Sequence, residues 1–356
     1  MTARSDPLRG TRIQQTGGQT LNNFRRLALA LALGSTFGSA HAYVNIVFDY
    51  SYDSSGFFTA DRRATLEQAA QAFETRVFDD LTAITSTPGG NGVVLNLGPL
   101  GSSNVGQQVT NANIAAKELR IYVGSNSNGG LNYEEKIPVS AISGGMGLTP
   151  TTTDMGYGNA AFSRGQTGWP DSESGTWGGT LNFSSNVSWY ADTDVSTTES
   201  FAGQWDLYTV TLKGLVGILG AADDGIDTGW LSLINGVGNF NGAKAKAEYD
   251  VRNSRGILQA VPLEEDFSAN TRLKANIQGE LDDGSMQLAL LAWGLSMGER
   301  RYMTELDYAI LDDIGWDVTG FTEMPNTPPV PEPQTWAMLA AGLGLIGLRA
   351  RKKMRD

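Results

Sequence analysis

Between Gln204 and Gly220 the chain carries Trp205, Leu207, Tyr208, Val210, Leu212, Leu215, Val216, Ile218 and Leu219. Wound on a 3.6-residue helix, these side chains leave almost no polar face. Such a helix has to lie inside a core, so the rest of the fold must be layered around it. Lys213 is its only charged residue after Asp206. Gly214 and Gly217 fall inside it, where a glycine costs about 1 kcal/mol relative to alanine. Gly220 ends the helix, and the polar turn Asp223-Asp224-Gly225-Ile226-Asp227 follows.

The elements around it are shorter. Tyr43 to Tyr52 alternates apolar and polar residues around Val44, Ile46 and Phe48, the period of a half-buried strand. A helix is predicted from Thr59 to about Leu81, with Leu66, Ala69, Ala72, Phe73 and Val77 at helical spacing. Val93–Leu97, Leu119–Val123 and Thr180–Phe183 read as strands. Gly144 to Gly179 reads mostly as surface loop, with Tyr157, Trp169 and Trp177 as anchors on the core. A last helix is punctuated by Thr304 as N-cap, Asp307 three residues on and Gly315 as the stop. Leu306, Ala309 and Ile310 face inward, and Trp316 packs where the chain leaves. No repeat of fixed period is present.

Composition removes whole classes of chemistry. There is no Cys among the 356 residues, so there is no disulfide, thiolate nucleophile or thiolate metal site. The single His, His41, lies in a segment read below as removed. A mature chain without His has no imidazole zinc ligand, no Ser-His-Asp triad and no His general base. The formal net charge of −12 argues against nucleic acid as a partner.

The two ends read as address labels. Arg25 and Arg26 precede the apolar run Leu27–Leu33, and Ala40-His41-Ala42 fits the small-x-small cleavage pattern. Residues 1–42 are therefore expected to be a signal peptide cut after Ala42 by signal peptidase. Near the other end come Pro328, Pro329, Pro331 and Pro333, the apolar run Trp336–Leu348, and Arg349, Arg351, Lys352, Lys353 and Arg355. An apolar segment followed by basic residues enters the membrane with its tail in the cytoplasm, but this run is shorter than the roughly 20 residues of a permanent span. Pro331-Glu332-Pro333, the Gly-rich apolar helix and the basic cluster together resemble a PEP-CTERM sorting signal. The resemblance implies export in a Gram-negative-type bacterium, transient inner-membrane insertion and processing by an exosortase. It also implies a place at the cell surface or in extracellular matrix, with extracellular polysaccharide as a candidate partner. The expected organisation is a signal at 1–42, an exported domain at 43–320, a Pro-rich linker at 321–334, and a short sorting helix with its tail at 335–356. Setting aside five Arg and Asp6 of residues 1–42, and five Lys or Arg with Glu332 and Asp356 of 331–356, leaves 16 basic and 35 acidic residues, a net of −19.

Three stretches of the exported span resemble a metzincin (matrixin-like) zinc metallopeptidase. They are Val44–Tyr50 with the helix from Thr59, Gly178–Phe183 with Gln204–Leu212 and the buried helix, and Arg300–Trp316. The resemblance implies an α+β domain with a mixed sheet, a buried former active-site helix and a C-terminal helix. In that family the middle helix carries HExxHxxGxx(H/D), two zinc-binding His on one face with a Glu that activates water. Here Lys213 stands at the first His, Gly214 at the Glu and Gly217 at the second His, while Asp223 falls at the third ligand position. A cationic Lys and two glycines cannot hold zinc, so no intact catalytic site and no zinc cofactor are expected. Lys213 is expected to reach solvent or an acidic neighbour, and Gly214 and Gly217 to be closely packed. Asp223, Asp224 and Asp227 could offer oxygen ligands to a weakly held Ca²⁺, although EF-hand spacing is absent and a solvated loop is favoured. The sequence thus points to a binding or structural role. The alternatives are a secreted hydrolase that reuses the cleft, since paired carboxylates can cleave glycosides without His, and a residual metallopeptidase.

Overall fold

The computed structural model describes residues 43–320 apart from 102–104, 128–136, 144–146, 170–171, 198, 222–227, 236–237, 254–258 and 265–271. Ala40, Ala42, Asp223, Asp224, Asp227, Pro331, Glu332 and Pro333 therefore lie outside the described residues. The first half of the fold contains β1 (Asn45–Asp49), α1 (Ala60–Glu74), β2 (Val77–Phe78), β3 (Val93–Pro99), β4 (Gly106–Thr110) and β5 (Glu118–Asn126). Then come β6 (Val139–Ser143), β7 (Leu148–Pro150), α2 (Met155–Ser163), β8 (Gly178–Ser184), β9 (Trp189–Tyr190), β10 (Trp205–Asp206) and α3 (Leu207–Ile218). Shorter pieces follow: α4 (Thr228–Ser232), β11 (Ile234–Asn235), β12 (Asn239–Phe240), α5 (Ala243–Asn253), β13 (Val261–Pro262), β14 (Gln278–Glu280) and β15 (Met286–Leu288). The last elements are α6 (Glu305–Asp313) and β16 (Asp317–Val318). The class is α+β, as the sequence predicts.

The central sheet has the order β1-β5-β8-β6, with β1, β5 and β8 parallel and β6 antiparallel to β8. All seven residues of β8 are buried, which fits a parallel strand covered on both faces. Strand β5 shows how one strand serves two cores. Leu119, Ile121 and Val123 enter the main cluster with α1 and α3, while Tyr122 points to a second cluster with Val93, Leu95 and Trp177. Helix α3 is the buried centre the sequence demands, with all but one of its residues buried.

Three expectations are corrected. Helix α1 opens on the Thr59 cap, but it stops at Glu74 rather than near Leu81. Val77 and Phe78 are instead taken by β2, which pairs with the distant β16. Arg76 makes that crossing possible, because its guanidinium meets Glu305 at 2.7 and 2.8 Å and its Nε donates to the Thr319 carbonyl at 2.9 Å. Second, the Gly-rich stretch read as loop contains β7 and the helix α2. Asp154 caps α2 by accepting from the Gly156 and Tyr157 amides at 3.0 and 3.2 Å. Gly156 and Gly158 depress its propensity, and tertiary contact overrides them. Third, β10 holds Trp205 and Asp206, so α3 begins at Leu207. Trp177 anchors its loop as expected, at 2% exposure.

Candidate functional site

Helix α3 is held at its N-terminus by charge. The Asp206 carboxylate accepts from the Thr209 amide at 3.2 Å and the Thr209 hydroxyl at 2.7 Å, covering helix-end donors that would otherwise be bare. A fully buried carboxylate needs a cation, and Arg300 supplies one. Its Nε and Nη2 reach the two Asp206 oxygens at 3.1 and 2.9 Å, and Nη1 reaches Asp192 at 2.8 Å. Burial works against the Arg300 charge, but the bonds and charges of Asp206 and Asp192 prevail and hold its pKa above the ordinary arginine value. The Thr209 hydroxyl also accepts the Arg301 amide at 2.8 Å, pinning residues 300–301 along the helix.

The positions that the resemblance aligned with the zinc motif lie one and two turns further on. Lys213 does not reach solvent. It is 5% exposed, and its Nζ donates to the Ala292 carbonyl at 3.2 Å. Arg301 Nη1 donates to the same oxygen at 2.9 Å, while its Nε bonds Glu299 at 2.6 Å. Gly214 is closely packed as expected, because a Cβ there would stand 2.5 Å from Leu181 Cδ2 of β8. Gly217 is not. It is half-buried, and among the described residues the nearest neighbour a Cβ would meet is Ala141 of β6 at 4.0 Å. A Cβ is therefore blocked at Gly214 and, among the described residues, meets only ordinary contact at Gly217.

The segment before α6 closes this side. Asp307 accepts from the Leu290 amide at 2.8 Å, the Leu291 amide at 2.9 Å, the Thr304 amide at 2.9 Å and the Thr304 hydroxyl at 2.6 Å. It completes the capping box of α6 and ties the 289–292 turn to that helix. Burial pushes the Asp307 pKa up, against the hydrogen bonds that favour its charge. Trp316 packs at the other end of α6 and donates to the Leu219 carbonyl at the C-terminus of α3, 2.8 Å away.

Beside Arg300 lies an open cavity of about 350 Å³ lined by Glu199, Phe201, Met297 and Tyr302. Its guanidinium is already bonded to two carboxylates, so it serves the wall rather than a ligand. The grouping built on α3 is thus a set of satisfied cations and carboxylates that cross-link core segments. Among the described residues no three His, Cys, Asp or Glu side chains gather as a metal would require.

Sequence reasoning placed Lys213, Gly214 and Gly217 on one helix and missed Arg300, Arg301, Thr209 and the reach of Asp307. One signal for Arg300 was present. A helix apolar all round that opens on Asp206 buries a carboxylate, and a buried carboxylate calls for an arginine. Residues 329–353 match the family model of the PEP-CTERM protein-sorting motif. No curated protein and no solved structure matches the chain. Among the described residues no helix is long and apolar enough to cross a membrane, and the run Trp336–Leu348 lies outside them. The chain carries a PEP-CTERM sorting motif, the mark of an exported protein that an exosortase processes and that is sorted to the cell surface.

Proposed function

We propose that the exported domain is a matrixin-like scaffold whose catalytic helix has become core, and that it serves at the cell surface by binding or as structure rather than by peptide hydrolysis. The order of elements supports the scaffold: strand, helix, mixed sheet, buried helix and a capped final helix that ends at Asp313, shortly before Trp316. One observation carries the loss of catalysis. Leu181 occupies the space a side chain at Gly214 would need, and the Lys213 ammonium is drawn onto the Ala292 carbonyl beside Arg301. A water-activating carboxylate at 214 would have to displace a fully buried leucine. Metal analysis of the processed protein, recovered from cells that make it, tests the reading. The expected result is no zinc near one per chain and no peptide hydrolysis. Stoichiometric zinc, or cleavage that a chelator stops, overturns it.

A further inference from the structure

The acidity of the exported span is unevenly spread. From Leu81 to Ala116 there is no Asp, Glu, Lys or Arg, and from Ile137 to Thr153 there is none either. These two runs supply every strand of the antiparallel sheet β4-β3-β7. Its inner face buries Val93, Leu95, Leu97 and Leu148 in the second core cluster. Its outer face carries a neutral polar chain. Gln108 Nε2 donates to Asn96 Oδ1 at 2.6 Å, and Asn96 Nδ2 donates to Thr149 Oγ1 at 3.1 Å, so three strands are crossed without a charge.

Strand β4 ends this sheet. It pairs with β3 on one side and, among the described residues, with no strand on the other. Edges are commonly blunted by Lys, Pro or an inward charge, and β4, Gly106-Gln107-Gln108-Val109-Thr110, has none of these. The one irregularity is a bulge between Asn96 and Gly98 in β3, opposite Gln107 and Gln108. Val105, 73% exposed, leads into it.

We propose that β4 is a self-docking edge, through which two copies of this chain pair antiparallel across a two-fold axis and join their three-stranded sheets into one of six strands. Two arguments select a second copy over another partner. A strand edge is complementary to itself under a two-fold, since each donor row meets the other's acceptors. Two copies with a net of −19 in the exported span also repel, and this neutral sheet is where they meet with no like charges facing each other. An ionic partner would find nothing there to pair with. The contact is small, so it is weak for free molecules and effective where copies are crowded on a surface.

Gln108 is the middle residue of β4, so a two-fold centred on the strand sets it opposite its own copy. The chain has no cysteine, which makes an introduced one a clean reporter. In the processed protein, Gln108→Cys should give a disulfide-linked dimer on mild oxidation, while Thr149→Cys on the far strand of the same sheet should stay monomeric. Sedimentation of the unmodified protein should show a reversible dimer that strengthens with added salt, as screening of like-charged copies requires. The double variant Val105→Lys and Gln108→Lys should weaken it about tenfold or more, with an unchanged melting temperature showing that the fold is intact. A protein that stays monomeric in high salt at high concentration overturns the proposal. So does equal cross-linking of the two cysteine variants, or a dimer indifferent to the lysines.

Discussion

Gly214 and Gly217 share a helix, yet their surroundings give the same substitution opposite signs. Alanine at 214 drives its Cβ to 2.5 Å from a leucine methyl that is itself fully buried, and such overpacking costs about 1–3 kcal/mol. Alanine at 217 meets only ordinary contact and gains helix propensity worth about 1 kcal/mol. Thermal denaturation should show Gly214→Ala melting lower than the parent and Gly217→Ala melting higher. Asp79 offers a second test at this scale. Burial raises its pKa from 3.8 to about 7, with the charges of Asp317 and Glu173 adding to the rise and the Asp80 amide opposing it. Below about pH 4 the carboxyl is neutral in folded and unfolded chain alike and exacts no penalty. Between about 4 and 7 the unfolded chain ionises while the folded one keeps its proton, so stability falls as pH rises through this window, and the loss is complete above it. Asp79→Asn should therefore raise the denaturation midpoint at about pH 8 and leave it unchanged near pH 4. An equal shift at both would assign the effect to something other than ionisation.

Helix α6 and the turn at 289–292 behave as one unit because Asp307 serves both. Replacing it by alanine strands the Leu290, Leu291 and Thr304 amides in the core, and each lost bond to a buried donor costs about 1–3 kcal/mol. Asp307→Ala should thus destabilise by several kcal/mol in urea titration, while Thr304→Ala, which removes one cap, should cost about 1 kcal/mol. Near-equal losses would mean that the carboxylate acts as a cap alone. Half of this unit was legible in the sequence. Thr304, Asp307 and Gly315 mark the helix by local chemistry, and local chemistry is what a sequence displays. The tie from Asp307 to residues 290–291 is a contact across a fold, and nothing in the spacing announces it. The same division explains α1 and α2. The Thr59 cap and the Leu66–Phe73 spacing fix where α1 starts, but it ends where Arg76 is drawn to Glu305, a residue far along the chain. Helix α2 is hidden by its own glycines and rests on contact with neighbours such as Pro150, which faces Gly158. Lys213 follows suit: its charge suggested solvent or an acidic neighbour, and a carbonyl it bonds belongs to a segment almost eighty residues later.

The two-residue strand β2 gathers both ends of the described domain. Tyr43 bridges to Phe78 and the Val44 amide donates to Val77, while β16 pairs with the same two residues. Arg76 adds the bond to Thr319, and the Thr319 amide returns one to the Arg76 carbonyl at 2.9 Å. Among the described residues this pairing runs from Tyr43, one residue after Ala42, to Thr319, twelve positions before Pro331. The sorting motif and the expected signal lie outside those bounds, so cutting them severs no bond named at the β2 seam. The processed protein should accordingly begin at Tyr43 and lack the peptide Arg349–Asp356, read by intact-mass and peptide mass spectrometry of surface material. Its melting temperature should match that of the unprocessed chain, because every bond named at the seam survives both cuts. An N-terminus upstream of Arg25 would contradict the signal reading. Retention of the basic tail in most molecules would indicate a permanent anchor. A melting temperature that drops on processing would show that residues beyond Thr319, or before Tyr43, contribute packing that the seam does not supply.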